Sequence, residues 1–251
     1  MEIYRKERWH LMKDGLHNGH TNMKIDKGIA HACGKGLTPS TLRFYGWSPP
    51  AVSIGYSQRP ERDIDIDYCK RYGIDIVRRP TGGRAVLHDC ELTYSIIFEE
   101  GNKVILGDLQ ATFKVISESL IIGLRYLGID AQLADGKRDR VDRLCNRDPA
   151  CFSSHSPYEI LINGKKIIGS AQRRFQGVIL QHGSILIDID RQRLAYIFKV
   201  RYMEDRERLI NDFHKKIISL NEVNQDTFSF SDVMNAMING FKDRLGIEFI
   251  P

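Results

Sequence analysis

Between Arg78 and Asp89 the chain reads Arg-Arg-Pro-Thr-Gly-Gly-Arg-Ala-Val-Leu-His-Asp, which combines arginines, paired glycines and a His-Asp dipeptide in one short stretch. Adjacent glycines let a backbone come close to a ligand and leave amide donors pointing into the gap. The same residues also suit an ordinary tight turn with solvated arginines. No Gly-Lys-Ser/Thr follows and no G-x-G-x-x-G is present, so the stretch is neither a Walker loop nor a dinucleotide fingerprint.

Cys151 follows Pro149-Ala150 at the edge of a charged, aperiodic run from Ala134 to Pro149 that reads as a surface loop. A thiol nucleophile needs its thiolate favoured, and a nearby ammonium does this by Coulomb attraction. Lys166, just past Asn163-Gly164, is the candidate for that ammonium. A free cysteine is otherwise a small buried hydrophobe, the reading that suits Cys33, Cys69 and Cys90. Cys145, Cys151 and His155 match no common zinc spacing and show no evident fourth ligand, so no metal is expected. Ser153, Ser154 and His155 lack the G-x-S-x-G that would support a serine triad. For His182, set before Gly183 in an apolar run, base rates favour a core histidine over a catalytic one.

These residues need a framework, and 251 residues with 42% hydrophobic content can bury one substantial core. The five cysteines form no C-x-x-C pair and are odd in number, which argues for reduced thiols. A net charge of +5 is too small to indicate nucleic acid without a concentrated basic stripe, although a mildly basic face suits acidic partner proteins. No run of about 18 apolar residues appears and Met1 to Lys13 is charged throughout, so a cytoplasmic protein is expected. Internal repeats and low-complexity segments are absent.

Helix and strand signals alternate along the chain. Asn22 to Cys33 suits a helix burying Met23, Ile29, Ala30 and Cys33; Thr41 to Tyr45 and Val52 to Tyr56 read as strands around Pro49-Pro50. A short helix around Ile64 to Tyr72 should end at Gly73, and Ile74 to Val77 is a buried strand leading into the glycine turn. Asp108 should cap a helix with the stripe Leu109, Phe113, Ile116, Leu120, Leu124, Leu127, stopped by Gly128. Asn163-Gly164 predicts a type I′ hairpin between Tyr158–Ile162 and Lys165–Ile168. Val178 to Ile189 reads as strand interrupted at Gln181-His182-Gly183, and Ser231 or Asp232 as the cap of a last helix to about Leu245. Hairpins mixed with helices point to a mixed or antiparallel sheet with flanking helices, not a doubly wound parallel one.

Four stretches together resemble the biotin/lipoate protein ligase superfamily in order and spacing: Thr41-Leu-Arg-Phe-Tyr-Gly-Trp-Ser-Pro-Pro, Arg78 to Asp89, Gly164-Lys-Lys-Ile-Ile-Gly-Ser-Ala-Gln, and Gln181-His-Gly-Ser. Within it the chain is most similar to the LipM-type octanoyltransferase branch of lipoate biosynthesis. Its loop is Thr-Gly-Gly-Arg followed by Glu91-Leu92-Thr93-Tyr94-Ser95, where lipoate ligases tend to carry a third glycine and an Asn-Leu-Asn-Phe-like strand. Cys151-Phe152 stands where that branch carries its nucleophile, and an end near residue 250 leaves no room for the accessory C-terminal domain of many ligases.

The resemblance implies an α/β (α+β) fold of the biotin-synthetase and class II aminoacyl-tRNA-synthetase-like type, with a mixed, mostly antiparallel sheet. It implies a single catalytic domain with its core over about 22–245 and a small helical region over about 191–251. Cys151 would be the acyl-thioester nucleophile, and Lys166 would lower its pKa and place the acyl carbonyl. Arg79, Gly82, Gly83, His88, Gly169, Ser170, Ala171, His182 and Gly183 would line the acyl and thioester site. The implied activity moves octanoyl from octanoyl-acyl carrier protein to a lysine of the glycine cleavage H protein or an E2 lipoyl domain. It would need no ATP, metal or other cofactor, and no nucleic acid or membrane, and a monomer would suffice. An ATP-dependent lipoate ligase would not need Cys151, whereas an amidotransferase between lipoate-bearing proteins would share it.

Overall fold

The computed structural model describes residues 6–134, 159–224 and 227–250. Cys145, Cys151, Ser153, Ser154 and His155 lie outside them, so the expectations placed on these residues do too.

The chain opens with β1 (Arg8–His17), α1 (Gly19–Gly34), β2 (Thr41–Trp47) and β3 (Ala51–Ile54), followed by α2 (Pro60–Asp63), α3 (Ile66–Arg71), β4 (Asp75–Arg78), β5 (Val86–His88) and β6 (Glu91–Glu99). Next come α4 (Leu109–Tyr126), β7 (Gln132–Leu133), β8 (Ile160–Ile162), β9 (Lys165–Phe175) and β10 (Val178–Leu186). The chain finishes with α5 (Arg191–Tyr196), α6 (Met203–Lys216), α7 (Leu220–Asn224), α8 (Phe230–Leu245) and β11 (Glu248–Ile250). The large sheet runs β11-β1-β2-β6-β10-β9-β8-β7 and the small one β4-β3-β5. Only β11, β1 and β2 pair in parallel within the large sheet, the rest being antiparallel, as expected from the hairpins.

The central strand β6 shows how the layers divide. Leu92, Tyr94, Ile96 and Phe98 alternate onto one face and pack with Ile116, Leu120 and Leu124 of α4 and Val233, Met237 and Phe241 of α8. Ile97, on the other face, packs with Ala30 and Cys33 of α1. Covered on both faces, β6 needs no polar alternation, and full burial of each Leu or Ile stabilises by roughly 1.5–3 kcal/mol. The small sheet packs Val52, Ile54, Val86 and Leu87 against Leu194, Phe198 and Phe213 from α5, its following turn and α6.

Several local signals are realised. Asp108 caps α4 through Ala111 N–H, and Asn163 and Gly164 take φ of 50° and 76°, the paired positive angles of a type I′ turn. Others are corrected. Leu109, the first residue of α4, is exposed and stands outside the buried stripe that begins further along the helix. The strand through Gln181, His182 and Gly183 is unbroken, since all three pair with β6 and β9. Ser229, not Ser231 or Asp232, caps α8, while Asp232 closes the capping box from the third helical position. Cys90 is exposed, whereas Cys33 and Cys69 are buried.

Candidate active site

Where α1 crosses between the two sheets, a cavity with ≈380 Å³ of empty space, its mouth included, opens beside β5, β9 and β10. Met23, Tyr45, Trp47 and Val86 make its apolar walls; Ser53, Arg79, His88, Thr93, His182 and Ser184 bring polar groups, and Gly169, Ser170, Ala171 and Gly183 complete it. Thus Arg79, His88, Gly169, Ser170, Ala171, His182 and Gly183 come together around one cavity, although far apart in sequence. Gly82 and Gly83 are exposed on the adjoining turn and are not among the lining residues.

That turn is pinned by arginines that are not merely solvated. Arg79 Nη1 donates to Ser53 O at 2.8 Å and Ser53 Oγ at 3.0 Å, and Nη2 donates to Gly82 O at 2.8 Å and Arg84 O at 2.6 Å. Arg78 Nη1 donates to the carbonyls of Gly55, Tyr56 and Gln58, and Arg173 reaches Pro80 O at 2.7 Å. Guanidinium forks therefore satisfy backbone acceptors that a tight glycine loop cannot pair internally.

Two imidazoles face the cavity, each backed by a buried carboxylate. His182 Nε2 lies 2.6 Å from Thr81 Oγ1, and its Nδ1 lies 3.7 Å from Asp26 Oδ2. Asp26 also accepts from Arg43 Nη1 at 2.7 Å and Tyr45 OH at 3.0 Å. Burial pushes the His182 imidazole below its ordinary range, with Asp26 opposing in part. Burial alone would raise the Asp26 carboxyl, but the His182 hydrogen bond and the Arg43 charge bring it below the usual carboxylate range. His88 Nδ1 lies 2.8 Å from Glu91 Oε1 and its Nε2 lies 2.7 Å from Ser53 Oγ, with the Trp47 ring stacked on it at 4.1 Å.

Lys166 lies on β9, the strand that carries Gly169, Ser170 and Ala171 into the cavity. It is buried, and its Nζ lies 2.6 Å from Glu159 Oε1. The β8–β9 register shifts by one residue between the Ile160–Ile168 and Leu161–Lys166 pairs, an irregularity that re-aims side chains. Its carbonyl accepts from Ile218 N–H, so the segment after α6 holds the strand at this point. Burial pushes the Cys69 thiol up to about 11 and raises Cys33; partial burial and the Asp89 carboxylate raise Cys90. None of these three is poised as a thiolate. Among the described residues no group of three or more His, Cys, Asp or Glu side chains converges as a metal site.

The family model for the lipoyl protein ligase A/B catalytic domain matches residues 18–242. The chain belongs to this family. An octanoyltransferase LipM of Geobacillus kaustophilus is 42% identical over 98% of the chain and 89% of its own length, and one of Anoxybacillus flavithermus is 40% identical over 97% and 88%. A crystal structure of lipoate-protein ligase A bound with ATP superposes with TM-score 0.76 at 28% identity, covering 97% of this chain and 87% of that one. A bipartite lipoate protein ligase from Thermoplasma acidophilum superposes with TM-score 0.77 at 28% identity, covering 98% and 86%. The likeness to lipoate ligases supports the expected mixed α/β architecture.

Within this lipoyl protein ligase A/B domain, the sequence motifs locate much of the cavity but miss its carboxylates. Asp26 shares a helix face with Asn22, Met23, Ala30 and Cys33, all buried. A charged residue inside an otherwise core-facing stripe was the available signal, because such a charge must be paired. Glu91 was visible only as part of a strand motif. Its adjacent rival Asp89 instead pairs with Arg193 Nη1 at 2.6 Å, so the His-Asp dipeptide is not the functional pair.

Proposed function

We propose that this chain is an octanoyltransferase of protein lipoylation. It takes octanoyl from octanoyl-acyl carrier protein onto Cys151 and passes it to a lysine of the glycine cleavage H protein or an E2 lipoyl domain. The observation that carries this reading is identity of about 40% over nearly the whole chain to proteins named octanoyltransferase. A cavity with apolar walls, and a buried lysine on one of the strands that line it, are consistent with it.

Cys151 thiolate attacks the donor thioester and the carrier thiol leaves; the acceptor amine then attacks the acyl-enzyme to form an amide. Exchange between thioesters is near neutral and amide formation from a thioester runs downhill, so ATP is not required. Lys166 favours the thiolate by its charge. β8 pairs with β9 only as far as Ile168, so the outer backbone edge of Gly169–Ala171 has no strand partner among the described residues. Amides there can hold the acyl oxyanion, each donor being worth about 3 kcal/mol. Of the polar residues of the cavity, Arg79, His88, Ser170 and His182 would orient the thioester.

The likeness to an ATP-bound lipoate ligase favours a second reading, adenylation of a free acid with Lys166 on the acyl-adenylate. Intact-mass spectrometry after incubation with octanoyl-acyl carrier protein, without ATP, separates the two. A hydroxylamine-sensitive octanoyl adduct that disappears in Cys151→Ala and persists in Cys145→Ala is the expected result. No adduct without ATP, together with acyl-adenylate formation from ATP and free acid, would overturn it.

A further inference from the structure

Two oxygen acceptors and a donor set fix how His88 is wired. Glu91 Oε1 accepts from Thr93 Oγ1 at 2.5 Å and from Ser184 Oγ at 2.8 Å, and His88 Nδ1 sits 2.8 Å away. An ionised carboxylate can only accept, so Nδ1 carries the proton. Arg79 can only donate to Ser53 Oγ, so the hydroxyl proton of Ser53 is left to point at His88 Nε2, 2.7 Å away. The result is a carboxylate–imidazole–hydroxyl chain, Glu91–His88–Ser53, whose last two members line the acyl cavity. The Glu91 side chain is 1% exposed, its Oε2 has no hydrogen-bond partner among the described residues, and its one basic partner among them is His88 itself. A buried carboxylate placed behind an imidazole stabilises the imidazolium formed when the ring takes a proton.

Transfer to a lysine has a requirement that loading does not share. Loading can use the Cys151–Lys166 pair, but the second step makes an amide from an amine, and the attacking nitrogen must lose a proton. We infer that His88, relayed by Ser53 and oriented by Glu91, takes that proton in the amine-transfer step, an inference that rests on the acyl-enzyme reading above.

The C–N bond forms as the neutral amine attacks the acyl carbonyl. The nitrogen's surplus proton passes to Ser53 Oγ while the hydroxyl's own proton passes to His88 Nε2. The C–S bond to Cys151 then breaks with its electron pair on sulfur, and the imidazolium returns the proton through Ser53 to the thiolate or to solvent. No oxidant, reductant or nucleotide enters. The charged and titratable groups facing His88 are Glu91 from β6, Arg79 through Ser53 from the turn after β4, and His182 from β10 with Asp26 behind it on α1. Trp47 of β2 covers the ring face.

The test separates the two steps. Enzyme is loaded from octanoyl-acyl carrier protein, freed of donor and mixed with a lipoyl domain, with both steps timed by quenched intact-mass measurements. In His88→Gln the ratio of the transfer rate to the loading rate falls by about 100-fold, the lower range of general-base effects. Glu91→Gln, which keeps the imidazole and removes the carboxylate that orients it, lowers the same ratio by a smaller factor. Equal loss of both rates in His88→Gln, or an unchanged ratio in Glu91→Gln, overturns the inference. A wild type that never loads overturns the acyl-enzyme reading itself, a result distinguishable from either.

Discussion

Lys166 and Glu159 form an ion pair of 2.6 Å with both side chains buried. Burial of two charges is tolerated only while they are paired, and removal of one partner costs about 3–5 kcal/mol. Glu159→Ala is therefore expected to lower unfolding free energy by an amount in that range, read by urea denaturation. Lys166→Ala should in addition abolish octanoyl loading of the enzyme, read by intact mass.

Gly55 meets the glycine turn backbone to backbone. A Cβ on Gly55 would lie 1.9 Å from Gly83 O, too close for any relaxation short of moving the turn. Overpacking of this kind costs about 1–3 kcal/mol, and here the obstacle is main chain. Gly55→Ala should lower the melting temperature and reduce octanoyl transfer together, because the turn also anchors Arg79.

His182 is buried and its imidazole is pushed below the ordinary 6.5, so the fold holds it neutral. Its unfolded form binds a proton more readily, so stability is full above about pH 6.5 and falls as pH drops below it. Denaturation curves between pH 7 and pH 5 should show that fall in the wild type and a shallower one in His182→Gln.

Glu222 links α7 to Arg191 of α5 through contacts of 2.7 and 2.8 Å. Burial alone would raise its carboxyl, but hydrogen bonds from Arg191 and Ser219 bring it down to about 2 from the usual 4.5. A depressed carboxylate contributes stability above about pH 4.5 that is lost as pH falls toward 2. The side chain is 38% exposed, so solvent screening keeps the effect to roughly 1 kcal/mol or less. Glu222→Gln should flatten the acid limb of stability in that window, checked by denaturation at pH 2.5 and pH 5.

Much of the scaffold was legible in the residues because its signals are local. The Asp108 cap, the Asn163-Gly164 turn and the αL glycine at Gly73 depend on neighbours within one turn of chain, and each appears in the structure. β1 was not legible: its Trp9 is fully buried, but Lys13, Asp14 and His17 break the alternation, and it is held by pairing with β2 and β11. β11 is likewise a strand only because β1 offers it a parallel partner.

The sequence by itself determined most of the element types, the largely antiparallel character of the sheet, the family resemblance and half of the residues that line the cavity. Tertiary structure alone decided which carboxylate serves which imidazole. His88 turns to Glu91 and away from adjacent Asp89, and His182 meets Asp26, which sits on a different element. Charge and hydrogen-bond partners are selected by distance in space, and once the chain is folded sequence proximity no longer ranks them.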